Sequence, residues 1–327
     1  MKKAFAYSGN EAIGAMVAQR LEAAGYVRAG SLAEAGVVVT YCTSQTALED
    51  AYFDEEGFVQ AAAPGTMLID LSPSTPSFAR ELNAVAVVSD LVSIEAPLVT
   101  VDAACSDAFA DRADLACFVA GDEEGVEAAR PVLEAIVGSV KDTGGPGSAQ
   151  LARAAYTLQA ISQIVSAIEA DALYRAFRRS SAPLGAGIGR AGATTPLAEQ
   201  VLDAVSSSRF DGAYTVEMLM AELSAALMAA DDMDLILPQA EACLHLLELL
   251  AVIGGADKAP AALALVYGEE AACAEQGLDW TRAEQAYGDG GMGGELEEGM
   301  DGCGEGCDHD HGSYPDYPGP YGAYSAN

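Results

Sequence analysis

The chain has few basic residues, and this scarcity excludes several classes of partner. It carries 16 lysines and arginines against 49 acidic residues, which gives a formal net charge of −33. Proteins bind nucleic acid and anionic membrane chiefly through contacts of Lys and Arg with phosphate, so we expect neither as a partner. We interpret the acidity as a solubilising surface rather than as a specific function.

Long apolar runs and a secretion signal are also missing. No stretch reaches the roughly 18 apolar residues that a membrane span needs. The N-terminal MKKAFAYSGNEAIG has too short an apolar segment for a signal peptide. The seven cysteines are scattered, apart from the close pair Cys303 and Cys307. In a chain without a signal peptide this pattern is typical of a reducing compartment, so we expect a cytoplasmic protein.

The first half of the chain alternates between strand-like and helix-like segments. Continuous apolar runs such as VVVTYC (37–42) are typical of buried parallel strands. The predicted strands are 3–8, 37–42, 66–72, 85–90, 92–101, 113–121 and 138–144. The predicted helices between them are 15–26, 46–62, 77–84 and 123–137. This alternation predicts an α/β domain built on a parallel sheet.

A glycine-rich hinge at 144–147 separates this half from a purely helical one. The helical segments are 151–177, 195–207, 214–231, 238–253, 259–276 and 279–287. The first of them has no Pro or Gly and is apolar almost all round, as expected of a helix buried in a bundle or dimer. We therefore predict a Rossmann-like domain at 1–147, an all-α domain at 148–287 and a Gly-rich acidic tail, disordered by composition, at 288–327.

The tail contains a cluster of residues that bind transition metals. Its members are Cys303, Cys307, His309 and His311. Cys and His are good ligands for zinc, nickel or copper, but this spacing is not a common zinc-finger pattern. A weak metal site, with Zn or another transition metal, and a plain low-complexity tail both remain open.

A glycine loop joins the first strand to the first helix. The candidate phosphate-binding residues are Gly9, Asn10, Glu11, Ala12, Ile13 and Gly14. Strand, tight turn and helix are the context in which G-x-G-x-x-G binds a dinucleotide. Here Glu11 stands at the second glycine, where the pyrophosphate approaches the backbone. Either the carboxylate repels the phosphate, or the side chain points to water and the backbone remains accessible.

Several longer strings resemble the β-hydroxyacid dehydrogenase family, which includes 3-hydroxyisobutyrate and 6-phosphogluconate dehydrogenases. GTMLIDLSPSTPSFARELN is similar to the family's strand and D-x-S-T loop, and IEAPLV to its D-A-P-V-S segment. FVAGDEEGVEAARPVLEAIVGSVKDTGGPGSAQ, FDGAYTVEMLMAELSAALMAA and LDWTRAEQAY resemble its later segments. The resemblance covers about residues 3–287. It implies a Rossmann-like domain followed by an all-α domain, an NAD or NADP cofactor, a small-molecule substrate and a homodimer.

The resemblance also implies a shortened nucleotide-binding domain. Between the first helix and VVVTYC the family has a further strand, helix and strand. In this chain the segment has too few residues to form them. The domain is thus shorter by one β-α unit, and the residue that would bind the cofactor's ribose is missing. Arg28 could take that place, or it could be a solvated loop charge. The resemblance places Cys42 and Thr43, which end the strand VVVTYC and begin the loop after it, in the cofactor site.

The implied catalytic residues depart from the family pattern. Arg153 stands at the family's catalytic lysine, where it could clamp a carboxylate but could not exchange a proton; a plain ion-pair role is the alternative. Tyr156 could move a proton, as a tyrosine does in some imine reductases, or be core. Ser72 remains from the D-x-S-T loop, and we take Asp70 as structural. The remaining departures are Val99-Thr100-Val101 for S-G-G and Ala221 for a lysine.

Two functions follow from these residues. In the first, the protein is an NAD(P)-dependent oxidoreductase for a small hydroxy acid or a related carbonyl or imine. Arg153 then anchors the acid, Tyr156 moves the proton and Ser72 assists. In the second, it is a catalytically inactive relative that acts as a binding, regulatory or scaffold protein, because cofactor and catalytic positions depart together.

Overall fold

The computed structural model describes residues 3–104, 106–180 and 195–287, with the backbone alone for 177–180. The described residues belong to one compact unit. The described strands are β1 (Ala4–Gly9), β2 (Val27–Arg28), β3 (Val37–Tyr41), β4 (Met67–Asp70), β5 (Val92–Glu95), β6 (Leu98–Thr100), β7 (Leu115–Ala120) and β8 (Ser139–Gly144). They form one sheet in the order β2-β1-β3-β4-β5-β7-β6, with β8 paired to β7.

The sheet is mostly parallel, as the alternation predicts. The pairs β1–β2, β1–β3, β3–β4, β4–β5 and β7–β8 are parallel. β5 and β6 follow each other along β7 and pair with it in the antiparallel sense. The predicted fold class, a Rossmann-like parallel sheet followed by a helical region, is confirmed.

Helices cover both faces of the sheet and then continue alone. Those of the first half are α1 (Glu11–Ala23), α2 (Gln45–Phe53), α3 (Phe58–Ala61), α4 (Pro76–Val88) and α5 (Glu123–Ile136). Those of the second half are α6 (Ser148–Ser180), α7 (Pro196–Ser206), α8 (Val216–Asp231), α9 (Pro238–Leu250), α10 (Glu270–Glu275) and α11 (Thr281–Tyr287). A π turn (Ala251–Gly255) and a 3-10 turn (Pro260–Leu265) lie between α9 and α10.

Burial on both faces explains why the inner strands are apolar throughout. In β3, Val37 and Val39 join the core with α1 and α5, while Val38 joins the one with α2, α3 and α4. In β4, Met67 and Ile69 likewise join the core with α1 and α5, while Leu68 joins the one with α2, α3 and α4. A strand buried on both faces has no need of polar alternation, which is why these runs could be recognised.

One predicted strand is wrong. Residues 85–90, VAVVSD, belong to the end of α4 and the turn after it. Thr75 caps this helix by accepting a hydrogen bond from the Phe78 amide, and Pro76 is its first residue. These start signals outweigh the β propensity of the valines. Val88 is 86% exposed, so the run does not lie in the sheet.

The shortened region between α1 and β3 differs in detail from the expectation. No strand is predicted there, yet Val27–Arg28 form a two-residue strand parallel to β1. A 3-10 turn at Leu32–Glu34 then leads directly into β3. The region is therefore reduced to a minimal strand and a turn.

Candidate functional site

Gly9 and Gly14 are required by packing. Gly9 has φ +116°, and a Cβ there would lie 1.9 Å from the Tyr41 carbonyl oxygen. A Cβ on Gly14 would lie 2.5 Å from the Tyr7 ring. The close approach of β1 to β3 at Gly9 and of α1 to β1 at Gly14 thus explains both glycines without reference to a ligand.

The Asn10 side chain accepts hydrogen bonds from the backbone amides at the glycine turn. It is the N-cap of α1, and its Oδ1 accepts hydrogen bonds from the amides of Ala12 (3.0 Å) and Ile13 (3.2 Å). Helix N-terminal amides of this kind bind the pyrophosphate in dinucleotide-binding domains. Glu11 is the exposed first residue of α1 and adds a negative charge at the same place. The sequence predicts a helix that begins after Gly14, but the helix begins at Glu11.

The other predicted cofactor residues also have internal partners. The Cys42 amide donates to the Ser72 hydroxyl at 2.9 Å, and burial raises the pKa of the Cys42 thiol to about 11. The Thr43 hydroxyl donates to Glu217 of α8 at 3.2 Å. This contact links the loop after β3 to the helical half.

Arg28 ends the two-residue strand β2. Its Nε lies 3.0 Å from Glu22, and both side chains are largely exposed. Its position at the strand end is where a ribose-binding or phosphate-binding residue stands in dinucleotide-binding domains. The turn of the chain thus fits a nucleotide, but the donor set does not fit a pyrophosphate bound in the usual way, because Asn10 Oδ1 already accepts from two of the amides and Glu11 adds a negative charge beside them.

Arg153 lies in the interior, paired with Glu222. It is 3% exposed, and Glu222 is 5% exposed. Arg153 Nη2 forms an ion pair with Glu222 Oε1, Nε donates to the Leu98 carbonyl at 2.9 Å and Nη1 to the Thr157 hydroxyl at 2.8 Å. Burial alone would lower the pKa of Arg153, but the Glu222 carboxylate offsets this and raises the pKa above its usual value.

Tyrosines surround the ion pair. The Tyr214 hydroxyl donates to Glu222 Oε2 at 2.7 Å, and the Tyr41 ring at the end of β3 is within electrostatic range of both charges. The Arg153 guanidinium carbon lies 5.4 Å from the centre of the Tyr156 ring. Burial raises the pKa of Tyr156, which makes it a poorer proton donor. Arg153 and Tyr156, predicted to act together, are thus adjacent.

Ser72 is fully buried and bonds other partners than the ion pair. Its hydroxyl accepts from the Cys42 amide, and its own amide donates to Asp70 Oδ1 at 2.9 Å. Val99 and Thr100, which replace the family's S-G-G loop, are buried in the short strand β6. Leu98, the residue before them, gives its carbonyl to Arg153 rather than to solvent.

A second group of buried carboxyls anchors the start of α6. Asp70 and Glu95 are register partners on β4 and β5. Glu95 accepts from the amides of Gly147 and Gln150, and Gln150 Nε2 donates to the Ser72 carbonyl at 3.0 Å. Burial raises the pKa of Asp70 to about 7, with hydrogen bonds from Ser72 opposing and Glu95 adding to the shift. The small enclosed space beside the two carboxyls is lined by Asn83 and Pro146 among others.

Sequence reasoning missed Glu222, Tyr214 and Glu95. Glu222 had a usable signal, because it is an acidic residue within the apolar helix MLMAELSAALMAA, where it lies on the buried face. An acidic side chain in that setting needs a buried partner.

The predicted metal ligands Cys303, Cys307, His309 and His311 lie outside the described residues. Within 3–104, 106–180 and 195–287, no group of three or more His, Cys, Asp or Glu side chains is placed to hold a metal ion. In the same part of the chain, no helix combines the length and apolarity that crossing a membrane requires.

Known proteins resemble the chain in both sequence and fold. Residues 6–145 match the family described as the NAD binding domain of 6-phosphogluconate dehydrogenase. An NAD-dependent L-serine dehydrogenase of Pseudomonas aeruginosa is 26% identical over 235 residues, 68% of this chain and 76% of that protein. A probable 3-hydroxyisobutyrate dehydrogenase of Mycobacterium tuberculosis is 33% identical over 143 residues, 44% of this chain and 46% of that protein.

Solved structures share the fold. A 3-hydroxyisobutyrate dehydrogenase from Salmonella typhimurium aligns with a TM-score of 0.62 at 19% identity, covering 80% of this chain and 99% of that one. The Mycobacterium tuberculosis 3-hydroxyisobutyrate dehydrogenase with L-serine gives a TM-score of 0.59 at 21% identity, covering 82% and 100%. The resemblance predicted from the sequence is confirmed.

Proposed function

We propose that the chain, whose residues 6–145 match the NAD binding domain of 6-phosphogluconate dehydrogenase, is a β-hydroxyacid dehydrogenase relative that does not transfer hydride. In this proposal the protein acts by binding, as a regulatory or scaffold protein. The observation that carries it is the buried ion pair of Arg153 with Glu222, at the position of the family's catalytic lysine.

The chemistry of Arg153 supports this proposal. A general acid or base must give up and regain a proton near neutral pH, and an arginine side chain stays protonated. Each of its three nitrogens already has a partner in Leu98, Thr157 or Glu222. To anchor an acid substrate, the guanidinium would first have to release Glu222.

The remaining candidate residues also have internal contacts. Ser72 is buried between Cys42 and Asp70, and Tyr156 packs against the charged face of Arg153. Among the predicted cofactor residues, Asn10 accepts from two amides of α1 and Thr43 donates to Glu217 of α8. Cofactor and catalytic positions therefore depart from the dehydrogenase arrangement together.

A second candidate is an active NAD(P)-dependent oxidoreductase for a small hydroxy acid or a related carbonyl or imine. The retained turn at Gly9 and the matched NAD-binding domain favour it, as do relatives named as serine and 3-hydroxyisobutyrate dehydrogenases. In this case Arg153 would exchange Glu222 for the substrate carboxylate, while Tyr156 supplies the proton.

Nucleotide binding separates the two candidates. NADH and NADPH are titrated against the full chain, with nicotinamide fluorescence and thermal shift as readouts. We expect no saturable binding up to millimolar concentration. The variant Glu11→Gly restores the missing glycine and serves as the matched comparison, since it removes the charge at the turn. Saturable micromolar binding by the wild-type chain, with turnover of L-serine or 3-hydroxyisobutyrate, would reject the proposal in favour of the oxidoreductase.

A further inference from the structure

The two oxygens of the Glu222 carboxylate contact a guanidinium and a phenol, as those of a bound carboxylic acid often do. Oε1 faces the Arg153 guanidinium and Oε2 accepts from the Tyr214 hydroxyl at 2.7 Å. A guanidinium and a phenol converging on one carboxylate are typical recognition groups for a carboxylic acid. Almost no part of Arg153 or Glu222 reaches solvent, so their attraction is little screened.

The groups that receive this carboxylate are held independently of it. Arg153 is fixed through Nε by the Leu98 carbonyl and through Nη1 by Thr157, one helical turn later on α6. These two bonds leave Nη2 directed at the carboxylate. Tyr214 lies just before α8 and is itself buried. The receiving groups come from α6 and from the loop before α8, and the carboxylate comes from α8.

Stability alone is a weak reason for such a pair. Taking two charges out of water is costly, and well-packed apolar residues of similar volume often stabilise as well or better. The rest of the buried face of α8 is apolar, with Leu219, Leu223 and Ala226 on either side of Glu222. An acidic side chain retained in this setting points to a site that requires a carboxylate.

We propose that Arg153 and Tyr214 form a binding site for a small carboxylic acid, and that Glu222 fills it as an internal ligand. The inference concerns the same side chains as the proposed function, but it is tested without a nucleotide. An acid from solution would have to displace Glu222.

The substitution Glu222→Ala tests the site directly. The atoms it removes beyond Cβ are a methylene and a carboxylate, which match acetate in size and charge. Formate and acetate are therefore expected to restore the variant, whereas benzoate is too large. We expect the melting temperature of E222A to rise by about 3 °C per tenfold increase in acetate once the site is half filled. Chloride at equal ionic strength is the reference.

Two controls make the result specific. The double variant Arg153→Met, Glu222→Ala lacks the guanidinium and should not respond to acetate. Asp231→Ala removes a carboxylate from the exposed end of the same helix and should behave as the wild-type chain does, without an acetate response. An equal response of E222A and the double variant would overturn the proposal.

Failure of E222A to fold in chloride is also informative. The variant is then refolded with acetate or formate present and the yield of soluble protein is measured. Recovery in acetate but not in chloride supports the site. If E222A stays unfolded in every salt while the double variant folds, the pair is purely structural and the proposal is wrong. A negative nucleotide titration of the wild-type chain leaves each of these outcomes unchanged.

Discussion

At the scale of single residues, burial changes what a side chain can do more than its identity does. Arg153, Tyr156 and Ser72 stand where the family resemblance places catalytic groups, and the sequence could predict those positions. It could not predict that Arg153 is fully engaged, because its partners Leu98, Thr157 and Glu222 lie on other turns and elements. Availability depends on tertiary contacts that one residue's identity does not encode.

Asp70 gives a residue-scale prediction for pH dependence. Its pKa is raised from 3.8 to about 7, chiefly by burial. The folded state therefore disfavours the charged form, so stability that is present below about pH 4 is lost as the pH rises to about 7. The substitution Asp70→Asn removes this loss but keeps an oxygen for the Ser72 amide. We expect the free energy of unfolding of D70N, taken relative to that of the wild-type chain, to be about 4 kcal/mol higher at pH 8 than at pH 4.

Denaturant unfolding at both pH values measures this difference. Asp111→Asn is the matched control, because Asp111 also accepts from the amide two residues later, at 2.8 Å, but in an exposed turn. A change in D70N no larger than that in D111N would show that Asp70 is not the group responsible.

At the scale of elements, strands that are buried on both faces could be predicted from the sequence. Segments whose conformation depends on capping or on pairing with another element could not. β3 and β4 were recognisable because both faces are covered. The valines of residues 85–90 predict a strand, but they belong to the helix that begins at Pro76 and is capped by Thr75. The two-residue strand β2 is too short to leave a pattern, and only its pairing with β1 defines it.

Glu95 carries the prediction for α6. It accepts from the amides of Gly147 and Gln150, so a carboxylate from the sheet caps the long helix. A negative charge at a helix N-terminus is favourable, and charge-assisted hydrogen bonds contribute about 1.5–3 kcal/mol each. In Glu95→Gln an amide group replaces one acceptor oxygen. We expect a loss of about 2 kcal/mol in stability and faster hydrogen exchange at residues 147–151.

The control for this variant is Glu123→Gln. Glu123 lies in the first turn of α5 but is exposed, so its loss should cost only a few tenths of a kcal/mol. Hydrogen exchange followed by mass spectrometry reads both segments in one experiment. Exchange at 147–151 that is the same in E95Q and wild type would mean that the cap does not anchor α6.

At the scale of the whole molecule, charge and exposed apolar surface oppose each other. The chain carries a net charge of −33, so two copies repel at low ionic strength. Yet Leu173 on the long helix α6 is 74% exposed, and Leu151 on the same helix is also exposed. We propose that the chain is a homodimer, as the family resemblance implies, with α6 in the interface.

The substitution Leu173→Glu tests this arrangement. Sedimentation at moderate salt should give the wild-type chain twice its mass of 33.5 kDa, and the variant a single mass, because two buried carboxylates would face each other across a two-fold interface. Lower salt should weaken the wild-type dimer, since the Debye length grows from about 10 Å at 0.1 M to about 30 Å at 0.01 M. Leu235→Glu, which alters an apolar side chain 54% exposed between α8 and α9, is the matched control and should remain dimeric. A wild-type chain of single mass at every salt concentration would contradict the dimer, and a dimeric L173E would place the interface elsewhere.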